Sequence, residues 1–149
     1  MSKIKTLNDF VKKLEDIVNI DSGTTNVDGV TEVAYKLKSF YDEAGFFTEI
    51  VDLGNSVGKG LFVTNDPKAT SYDVLLTGHM DTVFKQGEAK ERPFKVVENK
   101  AFGPGVVDMK GGDLIILWGL SKIAEQKLSK LKIAICYNPD EETGSLKSS

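Results

Sequence analysis

Leu75–Asp81, Leu-Leu-Thr-Gly-His-Met-Asp, decides how this chain is read: an apolar run ends on the only histidine, and an aspartate follows two residues later. The run Asp73–Thr77 has the composition of a strand buried on both faces, and such a strand aims His79 at its carboxyl end. Two later acidic sites answer it. Asp108 lies in Gly103–Gly112, Gly-Pro-Gly-Val-Val-Asp-Met-Lys-Gly-Gly, and the pair Glu141–Glu142 lies in Asn-Pro-Asp-Glu-Glu-Thr-Gly-Ser.

Outward from that strand, the pattern alternates between helix and strand. Leu7, Phe10, Val11, Leu14, Ile17 and Val18 recur at three/four spacing, which predicts a helix with one apolar stripe, and Thr6 suits its N-cap. Asp21–Asn26 is a turn-rich break. Val30, Val33, Ala34, Leu37, Phe40 and Tyr41 then predict a second helix that stops at Gly45. Phe46–Val51 and Gly60–Thr64 read as short strands joined by the Gly/Asn/Ser-rich Gly54–Gly58. Asn65–Thr70 is a polar loop, Phe94–Val97 a short edge strand, and Gly103-Pro-Gly105 a loop that carries Asp108 onward. From about Lys110, the residues Leu114, Leu117, Trp118, Ile123 and Ala124 restore helical spacing, and Leu131–Tyr137 is β-rich up to Asn138-Pro139. The expected fold class is α/β: a three-layer α/β/α arrangement on a mostly parallel sheet, mixed near Phe46–Thr64. In such sheets ligands bind at the carboxyl ends of strands, where His79, Asp108 and Glu141–Glu142 would converge.

Composition narrows the function. A chain of 149 residues fits one domain with a genuine core. Its 40% hydrophobic and 28% charged content is ordinary for a globular protein. A net charge of -3 and a pI near 5.2 offer no polycation for nucleic acid or an anionic membrane, so a small molecule or peptide is the expected partner. One cysteine excludes an intrachain disulfide framework. No stretch reaches the ~18 apolar residues of a membrane span, and a cytoplasmic protein is expected.

Imidazole and carboxylate are ligands that Zn²⁺ accepts, and Asp108, with two oxygens, could bridge two metals. Asp81 could accept the imidazole N–H that faces away from a metal. In Glu141–Glu142 one carboxylate can bind metal while its neighbour takes a proton from water. Other readings compete. The glutamate pair could be a solvated acidic turn, and Asp108 a helix N-cap. Cys136 with His79 suggests a thiol protease, but Cys136 alternates with Ile133, Ile135 and Tyr137 along a strand and reads as a small buried hydrophobe. Gly103–Gly112 with Lys110 suggests a phosphate loop, yet glycines rather than Ser/Thr follow the lysine.

Taken together, His-Met-Asp-Thr-Val-Phe at 79–84, Arg-Pro-Phe at 92–94, Gly-Pro-Gly-Val-Val-Asp-Met-Lys-Gly-Gly at 103–112 and Asp-Glu-Glu-Thr-Gly-Ser at 140–145 resemble the M20-type co-catalytic zinc exopeptidases of the glutamate carboxypeptidase type. The resemblance implies that His79 binds one zinc, Asp108 bridges both, Glu142 binds the other, Glu141 is the general base and Asp81 orients His79. It also implies a cis peptide at Asp108–Met109 and hydrolysis of a C-terminal amide or N-acyl-amino-acid bond. On the same resemblance, residues 1–149 correspond to the N-terminal part of the catalytic domain, with the lid/dimerisation domain and the C-terminal part of the catalytic domain absent. Two further metal ligands would then be missing, leaving the chain inactive alone and prone to self-association through surface that truncation exposes. The alternative is a non-catalytic domain that keeps the fold for an interaction or for weak metal binding.

Overall fold

The computed structural model describes residues 4–123 and 125–149. Helix α1 spans Leu7–Val18 and opens on a capping box: the Thr6 hydroxyl accepts from Asp9 N, and the Asp9 carboxylate accepts from Thr6 N. The exchange satisfies two amides that a helix start would otherwise leave without partners. Helix α2, Val27–Ala44, is capped by the Asn26 side chain and ends at Gly45, whose φ of 85° is the left-handed conformation that glycine adopts without a Cβ penalty. Strands β1, Phe47–Val51, and β2, Gly60–Thr64, form an antiparallel hairpin. Strand β3 is Val74–His79, followed by the short helix α3, Glu88–Glu91. A two-stranded ribbon of β4, Lys95–Val97, and β5, Lys100–Phe102, comes next. An irregular turn, Val106–Lys110, leads into α4, Gly111–Lys122. The short α5, Glu125–Leu128, precedes β6, Ile133–Asn138, and a single 3₁₀ turn covers Glu141–Thr143.

The main sheet has the order β1-β2-β6-β3. It is mixed: β2 pairs antiparallel with β1 and β6, whereas β3 and β6 run parallel. The parallel pair positions everything that follows. His79 lies opposite Asn138, so the segments leaving both strands emerge side by side at one edge. One helical layer covers the sheet. Ile17, Val18, Val33, Leu37 and Leu117 join Leu61, Val63, Ile135 and Tyr137 in a single buried cluster. Each such aliphatic side chain contributes ~1.5–3 kcal/mol relative to staying exposed. Within the core, the Tyr41 and Tyr137 hydroxyls bond at 2.6 Å, and Tyr137 donates onward to the Asp113 carbonyl at 3.1 Å.

The α/β class and the mixed sheet agree with the expectation, but the pairing is not mostly parallel: in the main sheet only β3–β6 is parallel, because the β1–β2 hairpin adds to β6 antiparallel; of the three expected layers, the described residues supply one helical layer and the sheet. Strand β3 departs from the expected burial on both faces. It pairs with β6 alone, and Leu75, pointing away from the helices, is 62% exposed. Leu7 and Ile123, counted on apolar stripes, are also exposed, because they fall at helix ends beyond the packed faces. Ala124 lies outside the described residues.

Candidate metal centre

The site forms where three loops meet at the carboxyl edge of β3 and β6. His79 ends β3 and is nearly buried, so its ring is held from several sides. Nδ1 lies 3.0 Å from the main-chain carbonyl of Asp81 and 3.3 Å from Asp81 Oδ1. The nearer acceptor is therefore backbone, with the carboxylate second. A proton held on Nδ1 leaves Nε2 to face outward, and Nε2 lies 3.0 Å from Asp108 Oδ1 and 3.7 Å from Glu141 Oε2. Asp108 sits in the irregular turn before α4, where the Asp108–Met109 peptide is cis.

Asp81 is fully buried, and both of its oxygens are filled. Oδ1 accepts the Glu141 amide at 3.1 Å; Oδ2 accepts the Glu142 amide at 3.1 Å and the Thr24 hydroxyl at 2.6 Å. One carboxylate thus fixes the turn that presents both glutamates. A different partition holds at the rim, where the Asp108 side chain is 74% and the Glu141 side chain 53% exposed. Ligand atoms of His79, Asp108 and Glu142 lie within 4.8 Å of one another. One imidazole nitrogen and carboxylate oxygens are a donor set that suits zinc or a similar divalent ion.

The electrostatics set a condition on that fit. Burial works against charge on His79, yet hydrogen bonds to Asp81 and Asp108 raise its pKa to about 9 without a metal, so a cation at Nε2 must displace a proton from the imidazolium. Burial pushes the Glu142 carboxyl up, and the nearby Asp108 carboxylate pushes it further. Asp81 moves the other way: burial opposes its charge, but bonds from His79, Thr24 and Glu142 prevail and hold it below the ordinary range. Crowded carboxylates around one outward imidazole nitrogen are the charge pattern a bound cation relieves.

Behind the rim lie Lys110, Asp113 and Cys136, of which the sequence reading passed over Asp113. Lys110 is buried, with Nζ donating to the Ile20 carbonyl at 2.8 Å, and burial lowers its pKa to about 8. Burial holds the Asp113 carboxyl well above its ordinary range, and neither of its oxygens has a partner among the described residues. Cys136 lies opposite Thr77 in the β3–β6 register, and burial raises its thiol pKa, the reverse of what an activated nucleophile needs. Among the described residues no helix is long and apolar enough to cross a membrane.

Comparison with known proteins supplies the family and the fold. The profile of peptidase family M20/M25/M40 matches residues 75–149. Carboxypeptidase G2 of Pseudomonas sp. (strain RS-16) is 35% identical over 140 residues, covering 93% of this chain and 34% of that protein. Acetylornithine deacetylase of Vibrio campbellii is 33% identical over 121 residues, 79% of this chain and 31% of the relative. The chain thus spans about a third of the length of these curated relatives. Human carnosine dipeptidase 1 superposes with a TM-score of 0.75 at 20% identity, over 95% of this chain and 34% of that one. An M20 metallo-carboxypeptidase from Sulfolobus solfataricus superposes with a TM-score of 0.70 at 18% identity, over 93% of this chain and 32% of that one. With the profile covering the segment that carries His79, Asp108 and the glutamate pair, the chain belongs to peptidase family M20/M25/M40.

Proposed function

We propose that the chain carries part of a zinc-dependent hydrolase centre that cleaves a C-terminal amide or N-acyl-amino-acid bond, in the manner of glutamate carboxypeptidase. The observation that carries this reading is the convergence of His79, Asp108 and Glu142, with ligand atoms within 4.8 Å of one another. His79 would ligate through Nε2 and Glu142 through its carboxylate, with Asp108 as the carboxylate that two ions would share. When bound, the zinc polarises the scissile carbonyl and lowers the pKa of water. Glu141 stays outside that set, at the exposed rim, where a carboxylate can take a proton from water and pass it to the leaving amine. Asp81 keeps the ring of His79 turned outward and the two glutamates in place.

A catalytic zinc usually takes three protein ligands besides water, and here two ions would share three residues, so the chain is proposed to turn over little by itself. Calorimetric titration should detect zinc binding to the 149-residue chain that His79→Ala abolishes. No binding by the unaltered chain would overturn the metal reading and favour a fold-retaining interaction domain. Robust cleavage of an acyl-glutamate, abolished by Glu141→Ala, would overturn the inactivity.

A further inference from the structure

The connector between α1 and α2 contains the turn-rich break Asp21–Asn26, yet it bonds to Lys110, to the start of α3 and to the segment that follows His79. The Ile20 carbonyl receives Lys110 Nζ, and the Asp21 carboxylate receives the Gly87 and Ala89 amides at 2.8 Å each. Ser22 O accepts the Thr82 amide at 2.8 Å, and the Thr24 amide returns to Thr82 O at 3.2 Å, so the connector runs as a short parallel bridge beside the segment that follows His79. Gly23 permits this approach, since a Cβ there would meet the Phe84 carbonyl oxygen at 2.2 Å. The backbone of Thr24 is therefore clamped, and its hydroxyl reaches Asp81 Oδ2 at 2.6 Å from a fixed position.

We infer that Thr24 is a positioning residue of the candidate centre: its hydroxyl locks the Asp81 carboxylate in the orientation that holds the Glu141 and Glu142 amides and flanks His79. The importance of this orientation for metal rests on the proposed zinc reading; the lock itself does not. A buried carboxylate keeps its charge only when its lone pairs are occupied, and a rotation of Asp81 would free both glutamate amides together. Of the donors that Asp81 receives, Thr24 alone comes from outside the three motif segments. A hydroxyl also supplies direction that a residue of the same shape without oxygen cannot.

The test compares Thr24→Val, which keeps the shape, with Thr24→Ser, which keeps the hydroxyl. Amide hydrogen exchange in the metal-free 149-residue chain should speed up about tenfold at Glu141 and Glu142 in Thr24→Val, while Ile135 in β6 keeps its protection. Zinc affinity, read by calorimetry, should fall about tenfold in the same variant. Thr24→Ser should stay within about twofold on both readouts. Unchanged Glu141 and Glu142 exchange in Thr24→Val, or equal losses in Thr24→Ser, would overturn the inference. Should Thr24→Val fail to fold, the unaltered chain still decides: its Thr24 hydroxyl proton should be slow to exchange and visible by NMR, and a rapidly exchanging one refutes the lock. A chain that binds no zinc would sink the metal reading while leaving the exchange result to judge Thr24.

Discussion

Asp81 and Asp108 both touch His79, but they occupy opposite environments. Asp81 is sealed, with its oxygens taken up by the Thr24 hydroxyl and the Glu141 and Glu142 amides. Asp108 is 74% exposed, and His79 Nε2 is its bonded partner. A carboxylate whose lone pairs are filled by protein donors acts as an anchor; one that keeps them open can accept a ligand. The same contrast separates the floor of the centre from its rim, where Glu141 is also open.

The largest expected effect lies in the floor. Asp81→Ala would strip partners from two amides and a hydroxyl at once, and should cost roughly 2–4 kcal/mol in urea unfolding of the metal-free chain. A loss below about 1 kcal/mol would erase the distinction between floor and rim. Smaller by far should be Asp108→Asn: an exposed carboxylate in an acidic cluster contributes little, so the change should lie within about 0.5 kcal/mol, with zinc binding nonetheless weakened. A large destabilisation there would make Asp108 a second anchor.

An effect between those two in size should arise in the core beneath both. Burial raises the pKa of Tyr41 and of Tyr137, so the folded phenols keep protons that the unfolded chain releases above about pH 10. The native state then binds more protons than the unfolded one, and stability falls as pH rises through that range. Tyr137→Phe removes one of these phenols and the bond to the Asp113 carbonyl. It should cost about 1 kcal/mol at neutral pH and flatten the alkaline decline, whereas an unchanged decline would assign it to other groups.

Much of this organisation is visible along the chain because its causes are local. The three/four spacing of Phe10, Leu14 and Ile17, the Thr6 cap and the Gly45 stop depend on neighbours within one turn of helix, and the structure realises them. The quoted motifs likewise marked His79, Asp108 and Glu142, which the fold brings together. The exposure of Leu75 could not be read in the same way. A short apolar run looks alike whether one or two strands flank it, and only the order β1-β2-β6-β3 shows that β3 has a single partner. The Nδ1 contact to a main-chain carbonyl was hidden for a related reason: every residue has that acceptor, so its identity carries no signal.

By itself, then, the sequence determined the α/β class, the places of the main helices and strands and the residue types available for metal chemistry, because periodicity, caps and ligand chemistry act over a few residues. The tertiary structure alone decided which carboxylate became an anchor and which stayed open. That outcome depends on burial and on donors that arrive from distant segments: the Thr24 hydroxyl, 57 residues before Asp81, and the Glu141 and Glu142 amides, 60 and 61 residues after it. Backbone amides are chemically the same in every sequence, and only folding selects the two that fill Asp81.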